Sequence, residues 1–297
     1  MVFNTILLER GLRAQFEAAY KQMLDRPYLQ QVRGVMTELP SNAASEKYAW
    51  LGDFPLVKEW IGDRAVGMLK DYDYTIKNKD WIIPIGIHEN EIADDQIGAI
   101  APRTQMMGQV LAKWPLEMVA ALLVNGTTNL AYDGSAFFAN RTAPNDNLLA
   151  GTGTTLAQIK ADIATARAAM MRFASGKARP LGLMMDTIVC PPEIEATMLE
   201  AVKSSNIMTT SEGGTYNPIS GWIKNVISLP ELTDTTDWYG LSTEFALRPF
   251  IFQTRQGVRT QLDDTEVKRN KRYIFQADMR GNAGYGFFHM ALKVVNS

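Results

Sequence analysis

Residues Lys47 to Arg64 read KYAWLGDFPLVKEWIGDR. Four aromatic residues, Tyr48, Trp50, Phe54 and Trp60, fall within eighteen positions, while Gly52, Pro55 and Gly62 interrupt the chain too often for a helical or a strand period to survive. A backbone so broken builds no private core for this much apolar surface. The surface that covers it has to come from elsewhere.

At 297 residues the chain is long enough to bury a full core without covalent staples. Its single cysteine, Cys190, lies in the apolar run GLMMDTIVCPP, so neither a disulfide framework nor a thiolate metal cluster can form within one chain. It reads as a small core residue of a protein made in a reducing cytoplasm. Thirty Lys and Arg against thirty-two Asp and Glu give a net charge of -2, which argues against a dedicated nucleic-acid binder that neutralises many phosphates. The N-terminal MVFNTILLERGLRAQF has no basic region leading into a long apolar run, so it is not a signal peptide. Nowhere do about eighteen apolar residues run uninterrupted, and no membrane span is expected.

Upstream of the opening stretch, Leu8, Leu12, Phe16 and Tyr20 recur every fourth residue, which predicts an amphipathic helix over roughly Asn4 to Asp25. Tyr28 to Leu39 reads as extended, and Pro40 to Ser45 as a turn. Downstream, Asp71 to Lys77 and Trp81 to His88 read as two strands joined by a tight turn at KNKD, with Pro84 confining the second to a sheet edge or a bulge. Met107, Val110, Leu111, Trp114, Met118 and Leu122 predict a long helix over Pro102 to Val124, kinked at Pro115. Leu156 to Phe173 is the cleanest helical pattern, capped at Thr154 or Thr155 and stopped by Gly176. A buried strand at Leu183 to Cys190 precedes a helix opened by Pro191 and Pro192, then a strand in WIKNVISLP. The tail from Trp238 is β-rich, in DWYGLST, LRPFIFQTR, RYIFQADMR and YGFFHMALKVV. The class is α+β, with sheet strands from both ends of the chain.

Tests for chemistry come back empty. Of the two histidines, His88 heads HENE but has no second histidine on the next turn for a zinc site, and reads as a polar strand end. His289 in GFFHMALK reads as a strand residue facing a partner or solvent. Glu89, Glu91, Asp94 and Asp95 could serve acid/base or metal chemistry, but acidic residues ahead of a helix more simply favour its positive end. GTGTT lacks the lysine of a phosphate loop, and RGNAGYG, Arg280 to Gly286, lies between two strand-like runs and reads as a hairpin or bulge connection. VKRNKR, Val267 to Arg272, reads as a solvated basic face. No catalytic residue, cofactor or metal site is assigned.

The residues YAWLGDFPLVKEWIGDR resemble the signature Y-x-W-L-G-x-F-P-x-hydrophobic-[KR]-E-W-I-G-D-R of the Mu-like major head (T) proteins. The YTIKNK strand, the YDGSAFF segment and ADMRGNAGYGFF near the C-terminus agree in order, the last being similar to the family's D-x-R-G-N-A-G-[FY]-G-[FW]-W. The likeness runs from about Val32 to Leu292. It departs at Ala139, Asn140 and Arg141, where the family often has a D-x-x-H-P-like piece, and at Phe288, which replaces a usual Trp.

This resemblance implies the Hong Kong 97-type phage major capsid fold: an N-terminal arm over 1–40, an extended loop over 41–70, a peripheral domain over 71–153 and 245–297 with a spine helix at about 102–124, and an axial domain over 154–244. It implies a major capsid protein that self-assembles into hexamers and pentamers of an icosahedral shell enclosing double-stranded DNA, in the virion, after assembly in the host bacterial cytoplasm. Implied partners are further copies of the chain, a separate scaffold or protease, a portal, a decoration protein, and packaged double-stranded DNA by weak non-specific contact, with no membrane. Trp50, Phe54, Trp60, Asp63 and Arg64 are the candidate inter-subunit contacts. The alternatives are another virion or tail structural protein, and a metal-dependent enzyme using the Glu89 to Asp95 carboxylates.

Overall fold

The computed structural model describes residues 5–48, 74–94, 97–174, 179–204, 206–207 and 215–296. Its helices are α1 (Thr5–Leu24), α2 (Pro27–Arg33), α3 (Glu89–Ala93), α4 (Ile97–Val124), α5 (Leu156–Arg172), α6 (Pro192–Lys203) and α7 (Val267–Asn270). The strands are β1 (Met36–Pro40), β2 (Ser45–Lys47), β3 (Thr75–Lys77), β4 (Lys79–His88), β5 (Leu148–Ala150), β6 (Thr187–Cys190), β7 (Asn206–Ile207), β8 (Thr215–Tyr216), β9 (Asn225–Ser228), β10 (Trp238–Leu241), β11 (Phe250–Asp263), β12 (Arg272–Tyr285) and β13 (Ala291–Val295). They form a four-stranded sheet β1-β11-β12-β4, a five-stranded sheet β5-β13-β10-β6-β9, and the two-stranded ribbons β2-β3 and β7-β8. The first sheet does draw strands from both ends of the chain.

The four-apart apolar rhythm of α1 buries Leu12, Phe16, Ala19 and Met23. That face lies on α4 so closely that a Cβ at Gly108 would meet Phe16 O at 2.6 Å and Tyr20 N at 3.1 Å. Phe16 also meets Phe275 edge-on, with ring centroids 6.4 Å apart, which brings α1 down to β12. The spine α4 begins five residues before the expected Pro102 and stays helical through Pro102 and Pro115. By length and composition α4 could cross a bilayer; half of that stretch is buried against α1, the sheet and their neighbours. Helix α5 begins as expected, with Gln158 Oε1 accepting from the Thr155 backbone N–H at 3.2 Å.

Several expectations are corrected. Tyr28 to Leu39 is not extended throughout: Pro27 supplies a helix-compatible φ at the first position of α2, Leu29 and Val32 are buried three apart, and extension begins only at Met36. The strands flanking KNKD do not form a hairpin. A single residue, Asn78, separates β3 from β4, yet β3 pairs with β2 and β4 with β12. Pro84 does sit in an edge strand, opposite Gln276. All of RGNAGYG but its last glycine lies inside β12, with Gly281 to Tyr285 paired to Thr254 to Phe250; the ladder irregularity there belongs to β11, between Thr254 and Gln256. The last strand, β13, joins the five-stranded sheet with the β6–α6 unit instead of the four-stranded one. Strand β6 starts at Thr187, although Leu183 is already fully buried. Helix α5 ends at Arg172, and Gly176 lies outside the described residues. His289 is not on a strand but in a buried 3-10 turn, Phe288–Met290.

Cys190 is a buried core thiol, and burial pushes its pKa up to about 12. The short α7 carries Lys268 and Arg269 exposed at the tip of the β11–β12 hairpin.

Candidate assembly site

Trp50, Phe54, Trp60, Asp63 and Arg64 all lie outside the described residues. What the structure does describe is the root from which their stretch departs, Ser41–Tyr48 and Tyr74–Asn78. Strands β2 and β3 pair antiparallel from Ser45↔Lys77 to Lys47↔Thr75, closed above by Tyr48 N–H donating to Tyr74 O at 2.8 Å and below by Asn78 N–H donating to Ala44 O at 3.0 Å.

The turn before β2 is tied by Glu46. Its Oε1 accepts from the N–H of Asn42 at 2.7 Å, the N–H of Ala43 at 3.0 Å and Ser41 Oγ at 2.9 Å. These donors, Asn42 first, hold the carboxyl below the usual carboxylate range. The knot is fastened to β11 by Gln253, a fully buried polar residue whose side chain is saturated. Gln253 Nε2 donates to Ile76 O at 3.1 Å and Asn78 Oδ1 at 2.7 Å, while its Oε1 accepts from Tyr48 OH at 2.9 Å. One side chain thus grips both strands of the ribbon.

The glycines of RGNAGYG make room for this attachment. A Cβ on Gly281 would meet Gln253 O at 2.6 Å, and one on Gly286 would meet Arg248 O at 2.7 Å. Gly284 lies beneath Ile76 and the Tyr74 hydroxyl. Tyr74 OH accepts from Tyr285 N–H at 2.8 Å, Tyr285 OH donates to Leu122 O on α4 at 2.8 Å, and Asn282 Nδ2 donates to Lys77 O at 2.9 Å. Burial raises the pKa of Tyr48 to about 12 and raises those of Tyr74 and Tyr285, so all three hydroxyls keep their protons.

Covalently, the ribbon joins opposite margins of one sheet. Residues 41–44 lead from β1 into β2, and Asn78 leads from β3 into β4, and β1 and β4 are the two outer strands of the order β1-β11-β12-β4.

The YDGSAFF segment forms a second braced region. Phe137 and Phe138 are buried, and Arg141 folds back to pair with Asp133 at 2.9 Å, with side chains only 9% and 22% exposed. The guanidinium also donates to Asn147 Oδ1 at 2.7 Å and Ala136 O at 2.8 Å, and its carbon lies 3.7 Å from the centre of the Phe288 ring. Two departures from the family signature, Arg141 and Phe288, are therefore in contact with each other. Next to them His289 is buried, with Nδ1 3.4 Å from Tyr132 OH; burial, then the charge of Arg141, pushes its pKa down from 6.5 to about 4.

Of the carboxylates between Glu89 and Asp95, Glu89 and Glu91 behave as helix-start residues. Glu89 and Glu91 occupy the first turn of α3, where Glu91 Oε2 accepts from His88 N–H at 3.4 Å and His88 Nδ1 accepts from Asn90 N–H at 3.2 Å. Asp95 lies outside the described residues, and among those described no group of three or more His, Cys, Asp or Glu is placed to hold a metal ion. Sequence reasoning missed Ser41, Asn78 and Gln253. The one signal was a glutamine in the apolar run of LRPFIFQTR, on a strand buried on both faces.

Comparison with known proteins agrees with this architecture. Over 258 residues the chain is 30% identical to the major capsid protein of Escherichia phage Mu, covering 86% of this chain and 63% of that protein. It is 26% identical over 264 residues to the Mu-like prophage FluMu major head subunit of Haemophilus influenzae, covering 88% and 64%. The chain thus spans under two thirds of the length of these relatives. Among solved structures, the procapsid of bacteriophage JBD30 superposes with a TM-score of 0.56 at 24% identity, over 98% of this chain and 75% of that one. A virus-like particle from Pyrococcus furiosus gives 0.57 at 9% identity, over 97% and 99%. The fold is that of phage capsid proteins of the Hong Kong 97 type. The profile of the family described as Mu-like prophage major head subunit gpT matches residues 7–158 and 225–297, and the chain belongs to that family.

Proposed function

We propose that this chain is the major capsid protein of a Mu-like phage or prophage, whose copies assemble into the hexamers and pentamers of an icosahedral shell around double-stranded DNA. The observation that carries the reading is the root of the signature-bearing stretch: residues 49–73 depart from a ribbon gripped by Gln253 and joined to both margins of the four-stranded sheet. A stretch rich in aromatics and mounted on a firm base suits contact with a second copy. Closed shells need heterologous contacts repeated around symmetry axes. Each apolar contact contributes about 25 cal/mol per Å² removed from water, and many copies multiply it.

In this reading residues 1–40 form the arm and 41–70 the extended loop. The four-stranded sheet with α4 forms the peripheral domain, and the five-stranded sheet with α5 and α6 the axial domain, to which β5 and β13 then belong. The remaining partners are a separate scaffold or protease, a portal and a decoration protein, with the shell forming in the host cytoplasm and ending in the virion. The chain acts through binding and has no catalytic role.

Trp60→Ala tests the function. The purified variant should stay folded by circular dichroism and fail to form shells by electron microscopy. Tubes or no particles from the unaltered chain would refute the function, and normal shells from the variant would refute the role given to Trp60.

A further inference from the structure

The same two chains run side by side through both sheets. The antiparallel ladder of β10 and β13 ends at Leu241↔Ala291, and that of β11 and β12 ends at Phe250↔Tyr285. Between these points lie two crossovers, residues 242–249 and 286–290. They are bonded to each other at either end, by Ser242 N–H donating to Met290 O at 2.9 Å and Gly286 N–H donating to Pro249 O at 2.8 Å. Within a sheet the ladder fixes how strands lie on one another; where it lapses, side-chain packing has to fix the angle.

Phe137 and Phe138, both buried, fill this junction. Phe137 stacks on Tyr285 with ring centroids 4.4 Å apart and lies 5.8 Å from Phe250, both at the junction end of the four-stranded sheet. Phe138 stands at 71° to Phe137 and lies 5.5 Å from Tyr239 on β10, in the five-stranded sheet. Two adjacent rings thus meet two different sheets. The pair is also anchored to the turn that follows α4: Phe137 N–H donates to Asn129 O at 3.0 Å and Phe138 N–H to Gly126 O at 2.8 Å. The Phe138 ring lies so close over Gly126 that a Cβ there would meet its Cε2 at 2.6 Å. Asn147, fully buried, donates to Phe137 O at 2.8 Å and to Ala291 O at 3.1 Å, which ties the pair to the start of β13.

We propose that Phe137 and Phe138 are a wedge that sets the angle between the two sheets, and that this angle sets the curvature at which copies of the chain close into a shell. The proposal rests on the reading that copies assemble, and adds to it the residues that select the size of the product. Heterologous contacts close only when each copy turns the next by the right angle. A copy that meets neighbours through both sheets passes any change of its internal angle into that turn.

Spin labels on the exposed positions Gln261→Cys, on β11, and Ala168→Cys, on α5 beside the five-stranded sheet, report the angle as a distance in the unassembled subunit; Cys190 is buried and stays unlabelled. Phe138→Leu should broaden the distance distribution about twofold, since a loosened core loses uniqueness before stability. The same variant should give particles of mixed diameter by electron microscopy. Phe275→Leu takes a buried ring from inside the four-stranded sheet and should change neither readout. Where Phe138→Leu does not fold, Phe138→Met is read in its place. An unchanged distribution, equal broadening in the two positions, or uniform particles of the unaltered diameter overturn the wedge and leave the assembly reading standing. A broadened distribution with no particles from the unaltered chain overturns the assembly reading, and the step from angle to curvature with it.

Discussion

Gly284 lies directly beneath Ile76: a Cβ at Gly284 would sit 2.7 Å from Ile76 Cγ1 and 3.0 Å from the Tyr74 hydroxyl. Ile76 is itself buried, so its side chain has little space to retreat into. Gly284→Ala should therefore destabilise the chain by about 2 kcal/mol through overpacking. The double variant with Ile76→Ala should recover part of that loss. Urea melts of the four members of the cycle measure the coupling; strict additivity would show that the two residues do not press on one another.

Gln253 is the next point of failure. Gln253→Leu fits the space but removes the hydrogen bonds to Tyr48 OH, Asn78 Oδ1 and Ile76 O, and should cost roughly 3 kcal/mol, since taking one member out of a buried network weakens the rest. Hydrogen exchange should show the loss concentrated at Ile76 and Tyr48. A loss spread evenly over both sheets would contradict the local role assigned to it.

Acidification should weaken the fold through His289. Its imidazole titrates near 4 in the folded chain against 6.5 when free, so between those values the unfolded chain takes up a proton that the folded one refuses. Stability is full above pH 6.5, falls as the pH drops toward 4, and gains no further loss from this group below that. The ceiling is roughly 3 kcal/mol at 1.36 kcal/mol per pH unit. His289→Gln should flatten thermal stability over that window; an unchanged slope would locate the acid sensitivity elsewhere.

Arg141→Lys should behave as a damaging change despite keeping the charge. A lysine cannot pair with Asp133, reach Asn147 and Ala136 O, and stack on Phe288 at once. The expected cost is about 2 kcal/mol, read from the thermal midpoint. An unperturbed variant would show that the Asp133 pair alone matters.

Gly108→Ala tests how closely α1 is seated. The added methyl would meet the Phe16 carbonyl oxygen, a backbone atom that can yield only if the whole helix shifts. About 2 kcal/mol should be lost, with protease cleavage within residues 5–24 accelerated. A neutral or stabilising effect, as expected for an exposed helical glycine, would mean that α1 is not held there.

Local patterns were legible where the sequence carries its own period or cap. Leu156 to Phe173 announced itself by spacing and by the threonines ahead of it, and Pro84 marked an edge strand or a bulge, of which the structure shows the edge. The glycines of RGNAGYG were misread because a turn and a close backbone approach ask for the same residue, and only the partner strand tells them apart. Tyr28 to Leu39 divides into helix and strand at a point no short window reveals. The root of the candidate site was invisible for a different reason: Gln253 meets Asn78 across 175 residues, so neither segment alone says that these amides are buried. The aromatic stretch was found by its composition, because unsatisfied apolar surface is a property of the segment itself.

The placement of the ribbon between the two outer strands determines how the subunit bears tension. A pull on residues 49–73 passes through 41–44 into β1 and through Asn78 into β4, at opposite margins of the sheet. Since β11 and β12 lie between those margins and are tied to the ribbon by Gln253 and Asn282, the load reaches all four strands of the sheet. In the assembly proposed above, strain borne by residues 49–73 would enter each copy's sheet at both margins at once and at the Gln253 grip between them.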